Sequence, residues 1–311
     1  MIKVGILGTG FGETHLELYK KIEGFQVVSI FGRNRKKLDS IAGKYKILVT
    51  TDINEIISDP EIDLVDVCLP TELHSKWVIE ALENGKHVFC ETPVTYSVKE
   101  AMAIQLASLK HNKNVFVNQF IKFSAPHKLA IELMKEKECG SLVGIRSYNK
   151  TPPWWGDLGL YKNVENFHNH MMDFVIELAG LPKAVTASGM DFNGKSIVTS
   201  TLKYDEVYAV LESTSVMPEC SPFEIGFELL CTGGVIRFDG SYSDEITKED
   251  FIIDRNDNPR DIVEFDELDD NEEVIKHILY CLQKGVKSEF IDIESAVKTV
   301  ELKEMIMCSL G

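Results

Sequence analysis

No apolar run in the 311 residues approaches the ~20 that a membrane span requires. The stretch from Met1 to Gly8 is too short for a secretory signal and leads straight into glycines, so neither a leader nor a membrane partner is expected. A basic stripe is also missing: the formal net charge is -16 and the two signs are mixed through the chain, which excludes nucleic acid as a partner. The seven cysteines are odd in number and never spaced C-x-x-C, which argues against a disulfide framework or a zinc site. They read as reduced, mostly buried thiols of a cytoplasmic protein, and no metal is expected. Internal repeats and low-complexity linkers are absent, and the acidic stretch 261–273 reads as a solvated loop and helix start.

Length and order suggest two domains, a first over 1–120 and a second over 121–311. The first alternates short apolar runs (3–7, 26–31, 64–69, 87–90 and 115–117) with helical patterns. Phe11, His15, Leu18 and Ile22 would share one helix face, as would Trp77, Ala81 and Leu82. Strands that are apolar throughout and alternate with helices predict a Rossmann-type, doubly wound parallel sheet in an α/β protein. After about residue 118 the order changes to helix (126–137), strand (142–149), a Pro/Trp loop containing Trp154 and Trp155, and helix (164–178). Runs at 184–190, 197–204, 207–216, 224–231 and 235–238 then follow one another without intervening helices. They predict an α+β domain with a mainly antiparallel open sheet. Helices at 271–284 and 293–309 close the chain.

Gly8-Thr9-Gly10-Phe11-Gly12 stands between the first strand and the first helix. In such a loop Gly8 permits the tight turn, Gly10 lets a pyrophosphate approach the backbone, and the helix N-terminus offers free N–H groups. The third position of G-x-G-x-x-G falls on Glu13, an unfavourable charge there unless it points away; Gly12 would then serve close packing. At the end of the second strand stand Gly32, Arg33 and Asn34, followed by Arg35, Lys36 and Lys37, where NAD sites usually carry Asp or Glu. An arginine fork with no opposing carboxylate suits a 2′-phosphate, so NADP is expected as cofactor ahead of NAD.

Three further segments, Pro70-Thr71-Glu72-Leu73-His74, then 85–93 ending in Glu91-Thr92-Pro93, then His170-Met171-Met172-Asp173, complete a resemblance. Together with the glycine loop they make the chain similar, nearly throughout and in order, to the Gfo/Idh/MocA oxidoreductases. That resemblance implies that Pro70, Thr71, His74 and Glu91 line the cofactor pocket and that His170 and Asp173 are catalytic. It also implies that the second sheet serves substrate and subunit contacts, as a homodimer or homotetramer. Two family positions differ: the lysine of Glu-Lys-Pro is Thr92, and the aspartate four residues before the histidine is Asn166. Lys122 stands where relatives often have arginine.

Asn166, His170, Asp173 and Glu177 fall at i, i+4, i+7 and i+11, so one helix would present them together. His127 and His168 read as surface or packing residues. The expected activity is hydride transfer between NADP and a secondary alcohol or ketone of a sugar-like molecule. His170 would move the proton, Asp173 would orient it, and Thr92, Asn166 and Lys122 would position hydroxyls. The alternatives are a non-catalytic NADP- or sugar-binding sensor and a reductase of another group such as an imine.

Overall fold

The computed structural model describes residues 1–156, 158–244, 247–256, 258–265 and 269–310. The chain falls into two compact units, Met1–Phe123 with Asp269–Val300, and Ser124–Leu268 with Glu301–Gly311. In the first unit the order is β1 (Ile2–Leu7), α1 (Phe11–Lys21), β2 (Phe25–Phe31), α2 (Arg35–Tyr45), β3 (Leu48–Thr50), α3 (Asn54–Ile57), β4 (Leu64–Val67), α4 (His74–Glu83), β5 (His87–Cys90), α5 (Val98–His111) and β6 (Val115–Val117). The second unit contributes α6 (Ala125–Glu136), β7 (Leu142–Lys150), α7 (Leu160–Asn166), α8 (Asn169–Ala179), β8 (Ala184–Asp191), β9 (Ser196–Lys203), β10 (Tyr208–Thr214), β11 (Phe223–Cys231), β12 (Gly234–Tyr242), β13 (Thr247–Arg255) and β14 (Asn258–Val263). Helices α9 (Asp270–Lys284) and α10 (Ile293–Leu310) close the chain.

The first sheet has the order β3-β2-β1-β4-β5-β6, all parallel. Its strands are mostly apolar on both faces because helices cover both: every residue of β4 and β6 is buried, Asp66 included. One face packs Val65, Val67, Val88 and Val117 against α4 and α5 residues such as Val78, Ala101 and Ile104. Val4, Ile6, Ile30, Leu64 and Phe116 belong to a second cluster with Leu16 of α1 and with Val274, Ile275 and Ile278 of α9. A boundary at residue 120 leaves α9 out of this core, although a helix at 271–284 was expected. Phe11 is 67% exposed and Ile22 follows the helix, so the α1 stripe is carried by His15, Leu18 and their neighbours Leu16 and Tyr19.

In the second unit the order is β14-β13-β12-β11-β7-β10-β9-β8, antiparallel except for the β10–β7 pair. One face buries Val198, Leu211, Phe227, Leu229, Phe238 and Phe251 with Ala130, Phe174 and Ile306 from α6, α8 and α10. Cross-strand ion pairs join other side chains of this sheet: Arg146–Glu228 at 3.1 Å, Arg237–Glu228 at 2.8 Å and Lys150–Glu224 at 3.2 Å. The single helix expected over 164–178 is two. Phe167 and His168 both donate their N–H to Asn163 O, closing α7 at Asn166. The His168 ring is drawn inward, with Nδ1 2.8 Å from Ser213 Oγ, and α8 starts afresh at Asn169.

The seven cysteines are free thiols; Cys90, Cys139 and Cys281 are buried, and Cys220 and Cys308 are exposed. Residues 266–268 of the acidic stretch lie outside the described residues. Among those described, no helix is long and apolar enough to cross a membrane.

Candidate functional site

The glycine loop leaves the C-terminal end of β1, where the neighbouring strands β2 and β4 lie on opposite sides. This is the switch point at which open parallel sheets bind ligands. Gly8 has φ +116°, and a Cβ there would stand 2.2 Å from Cys68 O, so the backbone conformation and the close approach both demand glycine. A Cβ at Gly10 would meet no atom of the protein within 4 Å. Helix α1 opens with no side-chain cap, which leaves its first N–H groups for an anion. Gly12 packs α1 against the sheet, since a Cβ would sit 2.8 Å from Ile6 Cγ2.

Glu13 is drawn away by α2. Lys37 Nζ lies 3.5 Å and Lys44 Nζ 3.8 Å from its carboxylate, and Tyr45 OH donates to it at 3.3 Å. Lys37 also donates to Thr9 O, joining α2 to the glycine loop. Gly32 is buried against Thr9, 2.7 Å from its Cγ2 to a Cβ at position 32, whereas Arg33 is exposed. Asn34 caps α2, accepting from Lys37 N–H at 3.2 Å. Arg35 pairs with Asp39 at 3.0 Å on the exposed face, the solvated helix start expected for part of this basic run.

Pro70 is exposed, and Thr71 begins a single 3₁₀ turn. His74 is 1% exposed, with Nδ1 3.1 Å from Pro93 O and Nε2 2.6 Å from Leu69 O. It therefore ties the β4 end to the β5 end through backbone. Burial lowers its pKa, partly offset by those hydrogen bonds. Glu91 Oε1 accepts from Asn118 Nδ2 at 2.9 Å and Oε2 from Thr92 N–H at 3.1 Å. Lys122 is 2% exposed, and its ammonium donates to Phe290 O at 2.8 Å, Ser295 Oγ at 2.6 Å and Gln119 Oε1 at 3.2 Å. It holds the 290–295 segment rather than reaching outward.

Sequence reasoning missed a cluster beneath the loop. His15 of α1, Asp66 of β4, Cys68 and Glu91 stand together, with His15 Nδ1 2.9 Å from Asp66 Oδ2 and Nε2 2.9 Å from Glu91 Oε1. Cys68 Sγ lies 3.4 Å from His15 Nδ1 and 3.3 Å from Asp66 Oδ1. One ligand atom each from His15, Cys68 and Glu91 fits within 4.8 Å, but both ring nitrogens are taken up by carboxylates. The one available signal was a histidine inside an otherwise apolar stripe.

In the second unit α8 places His170 in a half-buried position and Asp173 one turn on, 1% exposed. Glu177 pairs with Lys135 at 3.3 Å. Asn166 lies across the helix break, is exposed, and donates to Lys162 O at 3.0 Å, so the four-residue face is a three-residue one. His127 and His168, 4% and 0% exposed, are packing residues. Burial pushes both down to about 3, with the charge of His170 adding to the effect at His127.

A parallel sheet in the order 3-2-1-4-5-6, with a glycine loop and an uncapped helix at its switch point, defines a dinucleotide-binding fold. Residues 2–119 match the family model described as "Oxidoreductase family, NAD-binding Rossmann fold". Over those residues the chain is similar to the Gfo/Idh/MocA oxidoreductases. It is 30% identical over 156 residues to "Uncharacterized oxidoreductase YrbE" of Bacillus subtilis, covering 49% of this chain and 46% of that one. To scyllo-inositol 2-dehydrogenase (NADP(+)) IolW of the same organism it is 28% identical over 245 residues, 71% of this chain and 65% of that one. The chain thus spans about half to two thirds of the length of these curated relatives. A levoglucosan dehydrogenase solved with NADH and L-sorbose superposes with a TM-score of 0.85 over 99% of this chain and 96% of that one, at 18% identity, a likeness of fold.

Proposed function

We propose that this protein is an NADP-dependent oxidoreductase that moves a hydride between nicotinamide and a secondary alcohol or ketone of a sugar-like substrate, in the cytoplasm. The observation that carries the reading is the glycine loop. Its α1 N-terminus is uncapped, Gly10 is clear of protein atoms, and Glu13 is held aside by Lys37, Lys44 and Tyr45. The nicotinamide would supply the hydride. Gly8, Gly10, Phe11 and Gly12 would hold the pyrophosphate, Gly32, Arg33 and Asn34 the 2′-phosphate end, and Pro70, Thr71, His74 and Glu91 the pocket wall. His170 would take or give the hydroxyl proton, oriented by Asp173, while Thr92 would position hydroxyls. The named activity of IolW, on an inositol with NADP(+), is in keeping with this class.

No carboxylate stands among residues 29–37 to repel a 2′-phosphate. A charge-assisted hydrogen bond from Arg33 is worth about 1.5–3 kcal/mol, so NADPH is expected to bind roughly tenfold or more tighter than NADH. Fluorescence titration of both reduced cofactors measures this, and equal or tighter NADH binding sinks the NADP assignment. A second reading, a sensor without turnover, is favoured by Thr92 in place of a charged lysine. Any turnover of NADPH with a panel of ketosugars and imines excludes it.

Assembly is proposed through the second sheet, as a homodimer or homotetramer. The face of that sheet turned away from its helices would meet a second copy across a two-fold axis. Light scattering at micromolar concentration is expected to give two or four chain masses; a single chain mass ends the idea.

A further inference from the structure

His15 is 2% exposed and stacked on Phe89, with ring centroids 5.2 Å apart and an interplanar angle of 16°. Both of its nitrogens stand 2.9 Å from carboxylate oxygens, Asp66 Oδ2 on one side and Glu91 Oε1 on the other. A neutral imidazole carries one N–H and could satisfy only one of these acceptors; unlike the two carbonyls that flank His74, carboxylate acceptors also favour a second ring proton through opposite charge, which points to the imidazolium. Burial opposes a charge on this ring, but Cys68 and Asp66 on its Nδ1 side outweigh burial and hold its pKa well above the ordinary 6.5. Burial pushes the Cys68 thiol up as well, so on the Nδ1 side it is the hydrogen bond to Asp66 Oδ2 that favours the ring proton. The other titratable groups around the cluster, Tyr19 on α1 and Cys90 on β5, are raised by burial and stay neutral. Burial also opposes charge on Glu91, yet hydrogen bonds and charge from His15, with help from Asn118 and the Thr92 N–H, keep it below the ordinary 4.5.

The geometry makes a continuous path. Helix α1 carries the uncapped N-terminus at Gly10 and, one turn on, His15. His15 grips Glu91 Oε1, and Glu91 Oε2 accepts from Thr92 N–H. His74 holds the next carbonyl, Pro93 O. We propose that His15 is a positioning residue for the cofactor: a buried imidazolium that clamps the helix facing the dinucleotide phosphates to the Glu91–Thr92 turn at the nicotinamide end. The inference rests on the dinucleotide reading given above. Loss of the ring proton leaves two carboxylates facing each other across a neutral ring, so Glu91 turns away or takes up a proton and the Thr92 N–H is released.

The sign of the pH effect follows. Cofactor affinity follows the fraction of folded protein whose His15 ring is protonated; because the fold raises that pKa well above 6.5, the ring stays charged through neutrality and loses its proton only as pH rises through the raised value. NADPH affinity of the wild type is therefore expected to be flat from pH 6 through neutrality and to fall on an alkaline limb. His15→Gln is expected to bind NADPH about tenfold more weakly at pH 7, the worth of a charge-assisted hydrogen bond, and to lack that limb. Imidazole 15N NMR of the wild type is expected to show both ring nitrogens of His15 protonated at pH 7.5. A ring with a single protonated nitrogen overturns the proposal without recourse to any variant. So does a His15→Gln protein with wild-type affinity and an unchanged pH profile. A wild type that binds neither NADPH nor NADH overturns the dinucleotide reading, and this proposal with it.

Discussion

His170→Ala is expected to lower turnover by about 10²–10⁴-fold, the usual contribution of a positioned general acid–base. The imidazole stands half-buried on α8, and Asp173 follows one turn later with 1% exposure. The two other histidines of this region cannot substitute: burial holds His127 and His168 at about 3, too weakly basic to share a proton near neutrality. NADPH affinity is expected to stay within twofold of wild type, because the candidate dinucleotide residues all belong to the first unit and His170 to the second. Steady-state rates with whichever ketosugar or polyol turns over, set beside a cofactor titration, measure both quantities. A variant as active as the wild type removes His170 from the mechanism.

Gly8→Ala is expected to be the most damaging single-methyl change in the first unit. Backbone at φ +116° costs a non-glycine residue about 1–3 kcal/mol. The new Cβ would also stand 2.2 Å from Cys68 O and 2.9 Å from Cys68 C, atoms of backbone that cannot swing aside. The turn must therefore move, carrying the α1 N-terminus with it. The midpoint of thermal unfolding is expected to fall by several degrees, at roughly 2–4 °C per kcal/mol for a unit of this size, and NADPH affinity by more than tenfold. Gly10→Ala is the informative contrast. Its Cβ meets no protein atom within 4 Å, so it should melt closer to the wild type than Gly8→Ala does while still losing affinity. A Gly8→Ala protein with unchanged midpoint and affinity refutes the account of the loop.

Local signals were enough to read the class of both sheets and most of their strands, but not β3, β13 or β14. Apolar runs separated by helices marked β1, β4 and β5, and unbroken strand succession marked the second sheet, because each pattern reports on a single element. Pairings between elements left no such mark. Glu13 read as a defect because the residues that draw it aside, Lys37, Lys44 and Tyr45, belong to α2. The break between α7 and α8 was invisible because apolar periodicity runs on through Phe167 while the cause, Ser213, lies on β10. His15 sat in a core stripe and showed nothing of Asp66 or Glu91, whose strands reach it only once the sheet has formed. Lys122 looked like a substrate ligand because its acceptors, Phe290 O and Ser295 Oγ, come from the far end of the chain.

That far end has a bearing on how the protein is made. Val4, Ile6, Leu16 and Ile30 share one apolar cluster with Val274, Ile275, Ile278 and Ile291. During synthesis the first group leaves the ribosome well before the second exists. Residues 124–268 must be translated in between, which at ~5–20 residues per second takes roughly 7–30 s. Through that interval α1 and α2 cover that side of the sheet without α9, so the segment made first is the one finished last. The core of the first unit is complete only when α9 arrives.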